Sequence, residues 1–312
     1  MARYARQGLA QEARERIGQQ SCRNTRRQYM RSVERFFSWM HAQDRTSAKD
    51  FRAAPVETLN RYSRWLQQSG CSPATVHTYL AGPCAAFAVP MASIGKPKRS
   101  AGTISRSRGG GNARGQNEAA LQKYARVVAF QRATGIRRAE LARLRDRDYV
   151  RDAAGHPCVL VRKGKGGKRQ LQRILPADEA FVASCFDGSE TPVFARAELN
   201  NKIDLHGMRA AHAREVYAYY LATLQTPAGR RQLQEELRSS FAEGNPKASA
   251  RKRRRFEKEI TDESPRLLRG ENSVRAADEG MPQAYDRLAL MCVSVWHLSH
   301  WRNDVTVTNY ML

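Results

Sequence analysis

Three segments, far apart in the sequence, place cations or a histidine beside a turn or at a helix start. Arg137 follows a glycine at a predicted helix start, where its planar guanidinium could bind a phosphate with two hydrogen bonds. Lys165 lies in the turn GKGGK, which suits a nonspecific phosphate contact. His206 and Arg209 are three positions apart and so share one helical face. Taken alone, each segment is more typical of an arginine-rich surface than of a reactive site.

The remaining candidates are His300 and Tyr310, ten positions apart in a polar segment. Neither is an obvious core residue, and a surface tyrosine is the plainer interpretation of Tyr310. A chemical role for this tyrosine depends on which groups the rest of the chain positions around it.

The charge balance indicates the kind of partner. The chain has 54 Lys and Arg against 30 Asp and Glu, a formal net charge of +24. A basic surface gains affinity by releasing the counterions condensed on nucleic acid, so DNA or RNA is the expected partner and binding should weaken with salt. An anionic membrane surface is the weaker alternative.

The sequence predicts a cytoplasmic protein without metal. No apolar run approaches the roughly 20 residues that span a bilayer, and the amino-terminal stretch lacks the apolar segment of a secretory signal. The six cysteines are scattered, without the paired spacing of a zinc site, and are expected to remain thiols that pack as small residues.

A change in composition predicts two domains. Residues 94–116 are rich in glycine and basic residues and contain no acid, which is typical of a linker or a DNA-contacting arm. Residues 1–93 should form a small helical domain, with helices over 25–40, 58–68 and 72–89. Ser72 is the expected N-cap of the last helix, and Pro73 its first residue. The linker carries five candidate DNA contacts: Lys96, Lys98, Arg99, Arg106 and Arg108.

Residues 117–312 mix helices with one hairpin. The apolar strand at 159–161, the basic turn and a returning strand ending near Leu175 are typical of a β-hairpin. The segment 226–282 is polar and charge-dense and contains the run RKRRR at 251–255. Helices are predicted over 117–135, ended by Gly135, and over 136–150, 204–224 and 284–298.

Five motifs in order carry a family resemblance. They are TGIRRAEL (134–141), GKGGK (164–168), HGMR (206–209), LSHWR (298–302) and Tyr310. Together they resemble the tyrosine recombinase, or phage-type integrase, family. The resemblance implies a mainly α fold with a small β-hairpin or sheet, in which 1–93 is a SAM-like core-binding domain. Residues 117–312 would form the mixed α+β catalytic domain.

The resemblance also implies a role for each candidate residue. Arg137 and Arg209 would clamp the scissile phosphate, because positioned cations stabilise the charge that develops on its oxygens without a metal. Tyr310 would be the nucleophile, carried on a mobile final segment, and His206 and His300 would hydrogen-bond the phosphate or assist proton transfer. The general acid would be Lys165, with the neighbouring Lys163 and Lys168 as competitors and DNA contacts. No cofactor or ATP is implied.

The chain departs from the family pattern around the second histidine and in its length. Ser299 replaces a usual glycine, and the interval from His300 to Tyr310 is one residue longer than is common, so His297 is a rival for the second-histidine role. From Arg209 to His300 there are 91 positions, which indicates an insertion at about 226–282. Within it, Leu233, Leu237 and Phe241 could line one helix face, and RKRRR could be either a phosphate-binding stripe or a solvated tip.

The expected function is therefore that of a site-specific recombinase of a mobile element, cleaving and rejoining DNA through a 3′-phosphotyrosine. Its partners would be double-stranded DNA at att-like sites and three further copies of the chain in a homo-tetramer. An accessory DNA-bending protein could assist, and no membrane partner is expected. The alternative is a non-catalytic DNA-binding protein derived from such an enzyme. A type IB topoisomerase shares the chemistry, but the helical amino-terminal domain and the linker resemble recombinases more.

Overall fold

The computed structural model of the chain describes residues 2–20, 22–99, 118–199 and 203–312. The chain divides into two compact units, Met1–Arg106 and Ser107–Leu312. The described residues are mainly helical and include a small antiparallel sheet, as the sequence predicts. Among these residues, no helix combines the length and the apolarity needed to cross a bilayer.

The first unit is helical and is built around aromatic side chains. The predicted helical spacing in 25–40 is confirmed, because Val33, Phe36 and Phe37 are buried in one core. The predicted cap is also confirmed, since the Ser72 hydroxyl accepts a hydrogen bond from the Thr75 backbone amide. The helices are α1 (Ala2–Gly18), α2 (Arg23–Trp39), α3 (Ala48–Ala53), α4 (Pro55–Gln68) and α5 (Pro73–Ala86).

Helix α1 is not predicted from the sequence. It buries Leu9, Ala13 and Ile17, which are four positions apart and so lie on one face. This stripe is weak in sequence because one of its three members is alanine and the residues between them are largely polar or charged. Packing against the rest of the unit, rather than strong local periodicity, explains the helix.

The first residues of the predicted linker belong to the first unit. Ile94 is buried in its core, and the Gly95 amide donates to the Asn60 side chain at 2.7 Å. His77 Nε2 lies 2.9 Å from the Pro97 carbonyl oxygen. Most of the predicted linker, including Arg106 and Arg108, lies outside the described residues.

The second unit contains the hairpin predicted from the sequence. Strands β1 (Tyr149–Arg151), β2 (Pro157–Val161) and β3 (Gln170–Arg173) form an antiparallel sheet in that order, and β4 (Arg266–Leu267) pairs with β5 (Ala284–Tyr285). The helices are α6 (Glu118–Lys123), α7 (Ala125–Thr134), α8 (Arg138–Leu141), α9 (Glu179–Ser184), α10 (Leu205–Thr223), α11 (Pro227–Gly244), α12 (Ala250–Thr261), α13 (Glu271–Asp278), α14 (Arg287–Cys292) and α15 (Asn303–Thr306).

The prediction of a long helix over 136–150 is wrong. Only α8 forms, and the chain then leads through a 3₁₀ turn into β1. Two aspartates explain the break, because their carboxylates are buried and bonded outside any helix. Asp148 accepts hydrogen bonds from the Arg145 amide and from Arg162, and Asp146 accepts one from the Ser189 hydroxyl. Short acidic side chains of this kind favour caps and turns over helix interiors.

The segment 226–282 contributes two helices to the core of the second unit. Leu233, Leu237 and Phe241 line one buried face of α11, as their spacing predicts. Phe256 of α12 stacks on Phe241 with ring centroids 4.1 Å apart. Later in the chain, π-helical turns Val293–His297 and Val307–Met311 extend α14 and α15. These two turns carry the chain to the candidate site.

Candidate active site

Arg209 is the central cation of the site. Asp204 caps α10 by accepting the amides of His206 and Gly207, which starts the helix one turn before Arg209. The Arg209 side chain is only 1 % exposed, and burial lowers the pKa of its guanidinium. It nonetheless stays charged, because an arginine does not lose its proton in proteins.

The Arg209 guanidinium is held by main-chain carbonyls. One terminal nitrogen donates to the Gly135 carbonyl, and the other donates to the Leu298 carbonyl at 2.8 Å. Gly135 ends α7 with φ +58°, and a Cβ at this position would lie 2.6 Å from the His212 ring. A glycine is therefore required where the chain turns to present this carbonyl.

Arg137 converges on the same carbonyl from a different element. It precedes α8, and its guanidinium donates to Glu140 Oε1 at 2.8 Å and to the Leu298 carbonyl at 3.2 Å. The structure thus brings Arg137 and Arg209 together at Leu298. Arg137 is the more accessible of the two, with 21 % of its side chain exposed.

The Tyr310 hydroxyl lies between a histidine and an arginine. His300 Nε2 is 3.0 Å from the hydroxyl oxygen, and Arg209 Nε donates to it at 3.4 Å. Tyr310 is 4 % exposed, so the interpretation as a surface tyrosine is wrong. Its segment is also packed, because Val307 and Met311 are buried on the same turn and Arg214 donates to the Tyr310 carbonyl at 3.1 Å.

His300 is held as a neutral base. Burial lowers its pKa from 6.5 to about 3, and the positive charges of Arg209, Arg137 and Lys165 act in the same direction. Its Nε2 atom is within 3.4 Å of an Arg137 nitrogen, which can only donate. Nε2 therefore carries a lone pair, and the Tyr310 hydroxyl donates to it. This geometry allows the imidazole to accept the phenol proton.

The backbone around His300 adopts an uncommon conformation. Ser299 and Trp301 have φ values of +53° and +57°, in the left-handed region that L residues other than glycine seldom adopt. The His300 amide donates to the Ser294 carbonyl at 2.7 Å, which ties this loop to the π-helical turn that follows α14. The Trp301 ring packs on Phe241 and Phe256. The segment 226–282 therefore supports the loop that presents His300.

His206 is exposed to solvent and contacts the Tyr310 ring. Its ring stands perpendicular to the Tyr310 ring, with centroids 5.9 Å apart, and the residue is exposed on the first turn of α10. It is therefore placed where it could meet a group approaching from solvent.

Glu140 connects the hairpin to the arginines, and the sequence reasoning did not single it out. Its side chain is buried, pairs with Arg137, and accepts the Lys165 backbone amide at 3.1 Å. Arg137 and Glu140 are three positions apart at a helix start, so the R-x-x-E spacing is the signal that could have identified it.

Among the three hairpin lysines, Lys165 is the one connected to the site. Its exposed side chain lies close enough to lower the His300 pKa, and its amide is fixed by Glu140. Lys163 and Lys168 are exposed, and their main-chain carbonyls hold the turn by accepting from Arg143 and from Gly164.

His297 is not part of the site. It is buried, its Nδ1 lies 3.2 Å from His212 Nε2, and its Nε2 lies 3.1 Å from the Tyr220 hydroxyl. Burial lowers its pKa well below 6.5. His300, not His297, therefore faces Tyr310.

The candidate DNA contacts of the first unit differ in accessibility. The Lys96 ammonium donates to the carbonyls of Met91 and Ile94, so it stabilises the end of that unit. Lys98 and Arg99 are exposed. Within the described parts of the chain, no group of three or more His, Cys, Asp or Glu side chains could hold a metal ion.

Comparison of the chain with protein-family models, curated proteins and solved structures finds no match.

Proposed function

We propose that the chain is a site-specific DNA recombinase that transfers a DNA strand through Tyr310. The observation that carries this proposal is the Tyr310 hydroxyl, which is 3.0 Å from the unprotonated nitrogen of His300 and 3.4 Å from Arg209 Nε. A buried phenol with a base on one side and a fixed cation on the other is suited to become a phenolate.

The transfer proceeds by substitution at phosphorus. His300 Nε2 accepts the Tyr310 proton, the phenolate oxygen bonds to phosphorus, and the bond to the 5′ oxygen breaks. The Lys165 ammonium gives its proton to that leaving oxygen. Arg137 and Arg209 stabilise the negative charge on the non-bridging oxygens. Reversal of the same steps by another 5′ hydroxyl rejoins the strand, so no external energy source is consumed.

The low basicity of His300 is consistent with a requirement for DNA. The cations that lower its pKa in the free protein are the groups that would pair with a phosphodiester. A bound phosphate brings a compensating negative charge, which raises the basicity of His300 when the substrate is present. A bound phosphate would therefore favour transfer of the Tyr310 proton to His300 by offsetting the charge of these cations, although burial remains the larger cause of the lowered pKa.

One observation favours the alternative, a DNA-binding protein without strand transfer. Arg209 already donates to Gly135, Leu298 and Tyr310, which occupies three of its five N–H groups. Two N–H groups of Arg209 remain for a phosphate, together with those of Arg137 that Glu140 and Leu298 do not use.

A covalent-trapping experiment separates the two functions. The probe is a pool of nicked duplexes with randomised sequence, in which cleavage next to the nick releases a short oligonucleotide and traps the adduct. The cleaved strand is labelled at its 5′ end, and the buffer contains EDTA. We expect adducts stable to SDS that retain the 5′ label, because a 3′-phosphotyrosine keeps that part of the strand.

The control variants identify the nucleophile. Tyr310→Phe should abolish the adduct, whereas Tyr219→Phe, which alters an exposed tyrosine of α10, should retain it. If neither the wild type nor the variants form an adduct while all bind the pool equally, the non-catalytic alternative is correct.

A further inference from the structure

Helix α12 presents cations on only part of its surface. The run RKRRR occupies residues 251–255, and Phe256 and Ile260 bury the opposite side of the helix in the core. At about 100° per residue, Arg251, Arg254 and Lys258 lie on the face directed away from those two residues. These three cations are all exposed and are called the α12 stripe below.

The other two cations at the start of the run have structural partners. Lys252 donates to the Asn245 side chain at 2.5 Å, and Arg253 donates to the carbonyls of Ala248 and Pro246 at 3.2 and 3.1 Å. Both side chains therefore close the turn between α11 and α12. The fifth cation of the run, Arg255, pairs with Asp304 at 3.7 Å. The run is thus divided between turn closure, this ion pair and an outward face.

The acidic residues of α12 do not neutralise the stripe. Glu257 pairs with Arg238 at 2.5 Å, and Glu259 pairs with Arg287 at 3.2 Å. Arg251 and Arg254 have no salt-bridge partner among the described residues. Lys258 lies near Asp262, which already pairs with Arg287.

Like charges on one helix face destabilise the helix unless an anion compensates them. The helix that carries the α12 stripe is nevertheless firmly packed. Phe256 stacks on Phe241, and both rings contact Trp301, beside His300. A row of exposed cations on a packed helix, two of them without a carboxylate partner among the described residues, suits the backbone of a nucleic acid.

We propose that the α12 stripe is a contact for the phosphate backbone of double-stranded DNA, in addition to the candidate active site. This assignment rests on the proposed function for its choice of DNA as the polyanion. From Arg251 to Lys258 the helix rises by roughly 10 Å. Phosphates of one strand recur about every 3.4 Å along the duplex axis. The stripe is therefore about as long as three base-pair steps of the duplex, which is enough to reach more than one phosphate.

The test compares two variants with the same loss of charge. One is Arg251→Gln/Arg254→Gln/Lys258→Gln, and the matched control removes three scattered, exposed cations of the same unit: Arg196→Gln/Arg231→Gln/Arg269→Gln. Binding to a labelled 30-base-pair duplex of mixed sequence is measured by fluorescence anisotropy between 50 and 200 mM KCl, roughly the range in which phosphate contacts dominate. The Tyr310→Phe background keeps the reaction from proceeding.

The stripe variant should bind about tenfold or more weakly at 100 mM salt, and its slope of log K against log salt should fall by about 2 to 3. The affinity and the salt slope of the control variant should change by less than half as much, because that variant loses only long-range attraction to the DNA. Equal slopes and affinities for the two variants would overturn the proposal.

A measurement on the unmodified protein guards against a folding defect in the variant. Phenylglyoxal reacts with accessible arginines, and the same duplex should protect Arg251 and Arg254 but not Arg231, as read by peptide mass spectrometry. Unchanged labelling of Arg251 and Arg254 would also overturn the proposal. A smaller salt slope for the stripe variant, with no adduct in the trapping experiment, would support the α12 stripe and reject the recombinase proposal. A trapped adduct, with the same salt slope for the stripe variant as for its parent, would reject the α12 stripe alone.

Discussion

Acidification should destabilise the second unit through a buried chain of hydrogen bonds. His212 Nδ1 lies 2.7 Å from the Arg132 carbonyl, so it must carry the proton and donate. His212 Nε2 then accepts from His297 Nδ1, and His297 Nε2 accepts from the Tyr220 hydroxyl. Every donor and acceptor in this chain is matched when both rings are neutral. A second proton on either ring would add a positive charge to this buried chain, which burial makes unfavourable.

The direction of the pH effect follows from the pKa shift. Burial lowers the pKa of His212 from 6.5 to about 4. Above pH 6.5 neither the folded nor the unfolded state binds the extra proton. Between pH 6.5 and pH 4 the unfolded state binds it and the folded state does not, so stability falls as the pH decreases.

The shift in the His212 pKa sets the size of the effect. With pKa values of 6.5 unfolded and about 4 folded, His212 alone lowers the free energy of unfolding by about 2 kcal/mol between pH 7 and pH 5. His297 adds to the loss, because its pKa is lowered in the same direction. A typical domain is stable by only about 5 to 15 kcal/mol, so the effect is large.

Urea unfolding at pH 7, 6 and 5 measures the loss, and ¹⁵N NMR of the imidazole rings assigns it. His212 should remain in the neutral form with a protonated Nδ1 down to about pH 5. His212→Asn should lower stability at pH 7 but reduce the pH dependence by about 2 kcal/mol. Titration of His212 near its ordinary value, or a free energy of unfolding that is equal at pH 7 and pH 5, would contradict this prediction.

Three substitutions test the geometry of the site. Gly135→Ala should cost about 2 kcal/mol or more in urea unfolding and suppress the trapped adduct, because φ is +58° and the new Cβ would meet His212. Unchanged stability would contradict this. Ser299→Gly should raise the free energy of unfolding by up to about 1 kcal/mol and retain the adduct, since φ is +53° and the serine hydroxyl is buried without a partner among the described residues. A lower melting temperature would contradict that reading. Glu140→Gln should slow adduct formation by about tenfold, because Arg137 loses its 2.8 Å ion pair, while circular dichroism stays unchanged. An unaltered rate would show that this carboxylate does not position the site.

The elements that were predicted correctly are those whose signals are local. The cap at Ser72 and the apolar face of α11 depend on residues within one or two turns, so spacing alone indicates them. The helix expected over 136–150 failed because Asp146 is bonded to Ser189 and Thr191, more than 40 positions away. No local pattern reports a partner at that distance.

Residue type and spacing alone establish the order of the motifs, the basic charge and the main helical faces. Only the packing of the elements makes His300 rather than His297 face Tyr310 and turns some cations of α12 outward. It also brought Arg137 and Arg209 to the Leu298 carbonyl, 161 and 89 positions along the chain from them. Contacts of such range arise only when packed elements fix the direction of each side chain, which residue spacing does not encode.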